Sequence, residues 1–426
     1  MIDRSIAPPI CGIEDLVLPT WEKHILGCGI PLYVVNMGTQ DALKVDFICF
    51  AGRPYETKKM VARATLALLK EGTTGHSAAD IAELLDFYGS SLHIPVNLDT
   101  SNIELVCLSK HFDIMAGLLA EIILQPTFPE QELENYKENS RQRLQVELAE
   151  ADNIAYRHIT ECLFGDDHPY GYNSSPERYA ALCREDLILH WKRNYVASRC
   201  RIVLSGKVRP EHITRLNDCF GKMPQREAPP PHFPNEEKKV LPQKIHIPHQ
   251  GTIQTAIRIG RRLYMDKRHP DFRGLLVLNT ILGAYFGSRL MMNIREAKGY
   301  TYNIYSTIDG LCADSYFCIA TEVSTDKVEA TKIEIYKELQ KLCDTLIEKE
   351  ELEMVRSYML GNMLSLLDGP FNVGSIIKTM VSENLDEKEF ERLADEIRNI
   401  SPQRLRTLAR QHLAPQDMWE VTVGAR

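Results

Sequence analysis

The hydrophobic pattern of the first half of the chain predicts strands followed by helices. Apolar and polar residues alternate in the strand-like segments, whereas apolar residues recur every three or four positions in the helical ones. The longest helical segment opens with a proline and acidic residues, which suit a first helical turn. The predicted strands are residues 30–35, 42–50 and 201–205, and the predicted helices are residues 58–70, 78–88, 112–124, 129–151 and 154–163.

The second half repeats this order of elements. Its predicted strands are residues 252–260, 302–308, 315–321 and 419–423, and its predicted helices are residues 272–282, 327–346, 349–366 and 387–400. Between the halves, residues 225–234 read QREAPPPHFP, and these prolines exclude a helix or a central strand. We therefore predict two similar domains, residues 1–224 and 246–426, with a linker at residues 225–245.

The predicted fold class is α+β. Each domain is expected to be an α/β sandwich, in which a mixed sheet is packed by helices, and the two domains together are expected to form half of a clam-shell. The length of 426 residues agrees with two domains, because a chain of this size exceeds one compact core.

Charge and cysteine content limit the partners and the compartment. The formal net charge is −8 with both signs interspersed, so we predict neither a nucleic-acid partner nor a membrane partner. The eleven cysteines are odd in number, are scattered and form no CxxC pair, which predicts free thiols in a reducing compartment. The first residues, MIDRSIAPPI, lack the apolar core of a secretory signal, and we expect a cytoplasmic protein.

Several short phrases occur in a fixed order along nearly the whole chain. They are AGRPYE at 51–56, EGT at 71–73, LQPTFPEQE at 124–132, HPYG at 168–171, QTAIRIG at 254–260, LNTILG at 278–283 and GSRLMMNIREAKGYTY at 287–302. In this order they resemble the insulinase and pitrilysin type of zinc metallopeptidase. The chain looks most like the non-catalytic subunit of the bacterial two-subunit members of that family.

The resemblance implies a degenerate zinc motif in the first half. Active members carry HxxEH on a helix, where two histidines one turn apart bind zinc and the glutamate acts as general base. The EGT phrase that follows this motif aligns Arg63 and Ala67 with the histidines and Leu66 with the glutamate. These side chains cannot ligate zinc or activate water, so no metal is expected in this chain. The family's third ligand, a glutamate on the long helix, would fall near Glu147.

The second half retains a different family feature. In active relatives an arginine and a tyrosine with the spacing RExxGxxY contact the bound peptide near its scissile carbonyl, and here Arg295 and Tyr302 reproduce that spacing. A guanidinium and a phenol both donate hydrogen bonds to carbonyl oxygen, and they stabilise negative charge that develops there. The alternative reading is structural: Arg295 pairs with an acidic neighbour on its helix and Tyr302 packs in a sheet.

The resemblance implies a subunit that is inactive alone and supplies Arg295 and Tyr302 in trans to a zinc-bearing homologous subunit. The expected substrates are oligopeptides or unfolded segments, and the zinc is expected in the partner. One alternative is a structural or scaffold protein of the same fold, and a less favoured alternative is an autonomous metalloendopeptidase. A homodimer in isolation is left open.

Overall fold

The computed structural model describes residue 13, residues 16–234 and residues 241–425, and it contains two mixed sheets. The first sheet has the order β1-β2-β6-β3-β5-β4 and the second has the order β7-β11-β8-β10-β9. The strands are β1 (Glu22–Ile25), β2 (Pro31–Asn36), β3 (Ala42–Cys49), β4 (Ser91–His93), β5 (Ser101–Leu108), β6 (Cys200–Gly206), β7 (Lys244–Pro248), β8 (Gln254–Arg262), β9 (Ile304–Gly310), β10 (Ser315–Ser324) and β11 (Trp419–Gly424).

Helices cover the faces of both sheets. In the first half they are α1 (Val61–Leu68), α2 (Ala78–Phe87), α3 (Phe112–Leu124), α4 (Glu130–Glu147), α5 (Ala151–Phe164), α6 (Pro176–Ala180), α7 (Arg184–Asn194) and α8 (Pro210–Phe220). In the second half they are α9 (Pro270–Leu282), α10 (Val328–Asp344), α11 (Lys349–Ser365), α12 (Pro370–Ser382), α13 (Glu389–Asn399) and α14 (Pro402–His412). A π-helical turn, Met291–Ala297, follows α9.

Two predicted helices are shorter in the structure than in the prediction. The helix predicted at 58–70 begins only at Val61, because Met60 has a φ of +77° and so cannot continue a right-handed helix. The helix predicted at 129–151 ends at Glu147 as α4, because a turn follows it, and α5 begins at Ala151, three residues before the helix predicted at 154–163. In both cases a local backbone turn, which apolar spacing does not report, sets the boundary.

In each half, the last strand lies between two strands that come earlier in the chain. Strand β6 lies between β2, to which it is parallel, and β3, to which it is antiparallel. Strand β11 takes the same place between β7 and β8 in the second sheet. The predicted fold class of two similar α/β sandwiches is confirmed by this arrangement.

Each half packs one of its helices against the sheet of the other half: α12 of the second half contacts the first sheet, and α5 of the first half contacts the second sheet. Val35, Ile48 and Val203 point away from the first domain's own helices and share a hydrophobic cluster with Val373 and Ile377 of α12. Both faces of the first sheet are therefore buried, and β3 is buried along nearly its whole length, including its charged residues Lys44 and Asp46.

Helix α5 makes the reciprocal contact on the second sheet. Its residue Ile159 shares a cluster with Ala256 of β8 and Val421 of β11. The Nη2 atom of Arg258 on β8 lies 2.6 and 2.7 Å from the two carboxylate oxygens of Asp152 on α5. These contacts therefore join the halves through both apolar packing and an ion pair whose arginine is buried.

Four charged side chains lie where α12 meets the first sheet. The Nζ atoms of Lys44 and Lys378 both lie 3.2 Å from an oxygen of Asp46, whose side chain is fully buried. Glu104 pairs with Lys378 and lies 3.7 Å from Lys44. Burial raises the pKa of Asp46, and the two lysines oppose that shift. We call these four residues the α12 charge cluster.

The segment between the sheets contains neither helix nor strand from residue 224 to residue 234, and β7 begins at Lys244. The backbone N–H of His232 donates to the carbonyl of Pro54 at 2.6 Å, so this segment lies against the first half. The domain limits 1–224, 225–245 and 246–426 stay a prediction. Within the described ranges, no helix combines the length and the apolar character needed to cross a bilayer.

Candidate functional site

A pocket of about 450 Å³ lies in the first half between α1, α4 and the segment that follows β4. Helix α1 contributes the three residues that sequence comparison aligned with the zinc motif, Arg63, Leu66 and Ala67. Other lining residues are Arg53, Lys70, Glu71, Ile94, Pro95, Val96, Asn97, Leu98, Glu132, Asn135, Tyr136, Asn139, Ser140 and Arg143. The three motif positions therefore face one common cavity.

The pocket does not fit zinc. Zinc in proteins is held by thiolate, imidazole or carboxylate groups, usually three or four of them. At the motif positions α1 offers a guanidinium, an isobutyl group and a methyl group. Nowhere in the described ranges do three or more His, Cys, Asp and Glu side chains form a group that is arranged to hold a metal ion.

The third family ligand was expected near Glu147, and this position stays a prediction, although Glu147 does not line the pocket. The residues of α4 that line the pocket recur at helical spacing and end at Arg143, and Glu147 is not among them. Glu147 lies one turn further along, where its charge acts on Arg157. Tyr136, Asn139 and Arg143 are among the residues of α4 that line the pocket.

Positive charge dominates the pocket lining. Arg53 is already engaged, because its Nη1 donates to the carbonyls of Pro169 and Tyr172 at 3.1 and 3.0 Å. Arg63 and Arg143 are exposed and form no ion pair with any residue that the structure describes.

The pKa of Tyr136, which also lines the pocket, is influenced by both of these arginines. Burial raises the pKa of its hydroxyl to about 12, and the positive charges of Arg63 and Arg143 oppose that rise. The ring of Tyr136 packs edge-on against Tyr179, with the ring centroids 6.2 Å apart. Arg63 of α1 and Arg143 of α4 thus line the same pocket as the Tyr136 hydroxyl, and the charge of each acts on it.

Glu56 fixes the start of α1. Its Oε1 accepts a hydrogen bond from the backbone N–H of Ala62 at 2.8 Å, and its Oε2 accepts one from the hydroxyl of Tyr172 at 2.6 Å. Burial raises the pKa of this carboxyl to about 7. Because a carboxylate at a helix start satisfies unpaired N–H groups, Glu56 orients the helix that presents Arg63.

The structure places Arg295 and Tyr302 in the second half, outside the pocket lining. Arg295 lies in the π-helical turn, where its guanidinium carbon is 4.7 Å from the ring centroid of Phe286 and its Nη1 is 3.6 Å from Glu296. Tyr302 is 89% exposed and lies two residues before β9, an edge strand of the second sheet. Its hydroxyl is therefore accessible to a molecule outside the chain.

Sequence reasoning missed the residues of the pocket that do not belong to the motif. Arg143 and Asn139 are recognisable only once α4 is known to face α1, although their four-residue spacing was readable. The segment 94–98, which follows the short strand β4, carries no motif. Its place in the pocket depends on tertiary packing.

Comparisons with known proteins agree with the fold and with the family resemblance. Residues 181–359 match a family model described as the peptidase M16 inactive domain. A Bacillus subtilis protein named "uncharacterized zinc protease YmxG" is 22% identical over 390 residues, covering 90% of this chain and 93% of that protein. A Helicobacter pylori protein named "non-peptidase homolog YmxG" is 23% identical over 308 residues, covering 71% of this chain and 70% of that protein.

Solved structures share the fold at low identity. The peptidase M16 inactive domain from Pseudomonas fluorescens superposes with a TM-score of 0.85 at 21% identity, covering 96% of this chain and 98% of that one. A protease from Helicobacter pylori superposes with a TM-score of 0.88 at 16% identity, covering 96% of this chain and all of that one.

The sequence matches and the shared fold make this chain similar to proteins of the M16 class, a name that designates the insulinase and pitrilysin type. The resemblance inferred from the ordered phrases is thereby confirmed. The matched family model describes an inactive domain, and the relatives carry names of both kinds, a zinc protease and a non-peptidase homologue.

Proposed function

We propose that this chain is a non-catalytic subunit that completes the active site of a zinc-bearing homologue. The observation that supports the proposal is the pocket lined by Arg63, Leu66 and Ala67, the residues that the family resemblance aligns with the zinc motif and that cannot ligate zinc. The zinc and the general base then have to come from another chain. This chain contributes Arg295 and Tyr302 in trans, as donors to the carbonyl oxygen of a peptide bound at the partner's zinc.

The surroundings of the two donors are compatible with this role. Stacking on Phe286 holds the guanidinium of Arg295, while the neighbouring carboxylate of Glu296 leaves other N–H groups of Arg295 available. Tyr302 needs no rearrangement to reach a ligand, because it is exposed. The substrates we propose are oligopeptides or unfolded segments, which add to a sheet edge as extended strands. We further propose a cytoplasmic location, since the described cysteines are free thiols.

The main competing function is a scaffold without any peptidase role. A scaffold has no chemical use for an exposed phenol at the RExxGxxY spacing, and the exposure of Tyr302 therefore favours the subunit. An autonomous metalloendopeptidase is disfavoured by the side chains at the zinc-motif positions. A homodimer of this chain stays open, and it would lack zinc ligands in both copies.

The purified chain alone is expected to contain no stoichiometric zinc and to hydrolyse no peptide, because Arg63, Leu66 and Ala67 cannot ligate metal or activate water. Elemental analysis of the dialysed protein and a fluorogenic peptide assay check this. About one zinc per chain, lost together with activity when a particular histidine is changed, would refute the proposal.

A further inference from the structure

The pocket at the degenerate motif has the features of an anion-binding site. Arg63 on α1 and Arg143 on α4 line it from opposite helices, and neither has an ion-pair partner among the described side chains. Unpaired guanidinium groups are strong donors that match the geometry of a carboxylate. The chain as a whole carries a formal net charge of −8, so this local excess of positive charge opposes the overall charge.

The acidic residues of the lining do not cancel this charge. Glu71 lies 3.8 Å from the ammonium of Lys70, which also lines the pocket. The carboxylate of Glu132 accepts a hydrogen bond from the side-chain amide of Asn135 at 3.2 Å. Neither carboxylate has an ion pair with Arg63 or Arg143, whose charges remain available to a ligand.

The same pocket has an apolar wall. Leu66 of α1 faces Ile94, Pro95, Val96 and Leu98 of the segment after β4, and Val96 is 77% exposed although it is apolar. Ile94, Pro95 and Leu98 are also partly exposed, and contiguous exposed apolar surface, unlike a single exposed residue, marks ligand-binding grooves. A volume of about 450 Å³ is within the range of small-molecule and peptide side-chain pockets.

Strand β4, which leads into this segment, is an edge strand. It pairs with β5 on one side, and no other described strand pairs with its second side. Edge strands bind extended peptides by main-chain hydrogen bonds, and a nearby pocket then receives a side chain or a terminus.

We propose that this pocket binds the C-terminal carboxylate of a peptide whose last side chain is apolar. Arg63 and Arg143 pair with the carboxylate, and the wall of Leu66, Val96 and Leu98 contacts the side chain. The proposal rests on the peptide-binding role given under Proposed function and adds a site in the half of the chain that lacks Arg295 and Tyr302. The position that holds a metal in active relatives thus serves here to hold a peptide end.

The test is a direct binding measurement on the full chain. The probe is an unstructured decapeptide that ends in leucine and carries fluorescein on its N-terminus, and its anisotropy is followed as protein is added. The free acid is expected to bind at least about tenfold more tightly than the C-terminal amide, because hydrogen bonds to a charged group are lost on amidation. A third peptide, amidated and with an internal glutamate, separates a terminal carboxylate from a side-chain carboxylate.

Two variants and one matched control locate the site. Arg63→Gln and Arg143→Gln are each expected to weaken binding of the free acid about tenfold and to leave binding of the amide unchanged. Arg141→Gln is the control, since Arg141 lies on the same helix, pairs with Glu138 at 3.6 Å and does not line the pocket. Circular dichroism confirms that each variant is folded.

Three results would overturn the proposal. These are equal affinity for acid and amide, binding of the glutamate peptide as tight as that of the free acid, and no binding of the free acid at millimolar protein. None of them bears on whether Arg295 and Tyr302 act in trans, because that role is measured as turnover with a zinc-bearing partner.

Discussion

Replacing Tyr302 with phenylalanine is expected to lower the turnover of the assembled two-subunit enzyme by about 10²- to 10³-fold. The change removes one hydroxyl from a side chain that is 89% exposed, so the fold of the chain should be unaffected. A donor aimed at developing negative charge stabilises a transition state by about 2.7 to 4 kcal/mol. Turnover is measured with a fluorogenic peptide after mixing with a zinc-bearing homologue.

Tyr358→Phe is a matched control for this variant. Tyr358 is also in the second half, is 40% exposed and packs on Tyr285 with 4.8 Å between the ring centroids. Its variant should keep the turnover of the unmodified enzyme. Peptide affinity should change less than turnover in Tyr302→Phe, because the contact forms mainly in the transition state.

Arg295→Lys extends the same test. The change keeps the positive charge but loses the planar fork that stacks on Phe286, so it should also lower turnover. If the double variant of Arg295 and Tyr302 keeps full turnover in a reconstituted complex, the pair is structural and the scaffold reading replaces the subunit reading.

Lys378→Ala is expected to lower the free energy of unfolding by about 3 to 5 kcal/mol. Lys378 of α12 pairs with Glu104 and lies 3.2 Å from Asp46, and its removal leaves these two carboxylates with Lys44 alone. Removing one partner of a buried ion pair leaves an uncompensated charge, which costs this amount. Urea unfolding followed by circular dichroism measures the change.

Lys337→Ala is the control for the α12 charge cluster. Lys337 pairs with Glu334 at 2.7 Å on the surface of α10, and its side chain is 57% exposed. Loss of such a pair should change the free energy of unfolding by less than about 1 kcal/mol. If the two lysine variants are equally stable, the charge cluster does not hold α12 on the first sheet.

Part of the order of strands and helices was readable because apolar spacing follows the element that buries it, but β5, α6, α7, α8, α12 and α14 were not predicted. Strand β3 and the closing strands β6 and β11 carry mostly apolar residues, and all three were predicted within one or two residues. The edge strand β4 has only three residues, none of them fully buried, and it exists because β5 pairs with it. Such a strand leaves no local hydrophobic signal.

The packing of α5 and α12 against the sheet of the other half could not be predicted from the sequence. Both helices are amphipathic, and spacing says which face is buried but not which sheet buries it. The residues of the candidate site likewise include some that a local motif predicts and some that only tertiary packing places. Arg63, Leu66 and Ala67 were found from a local motif, whereas the facing Arg143 required the packing of α4 against α1.

The central claim is that this chain completes the active site of a zinc-bearing homologue. Its most direct test is the peptide turnover of such a homologue, one that contains HxxEH, measured with and without an equimolar amount of this chain and accompanied by size-exclusion chromatography. We predict co-elution, as expected for an interface above about 1,000 Å², together with a rise in turnover. Separate elution at micromolar concentration with unchanged turnover would contradict the claim.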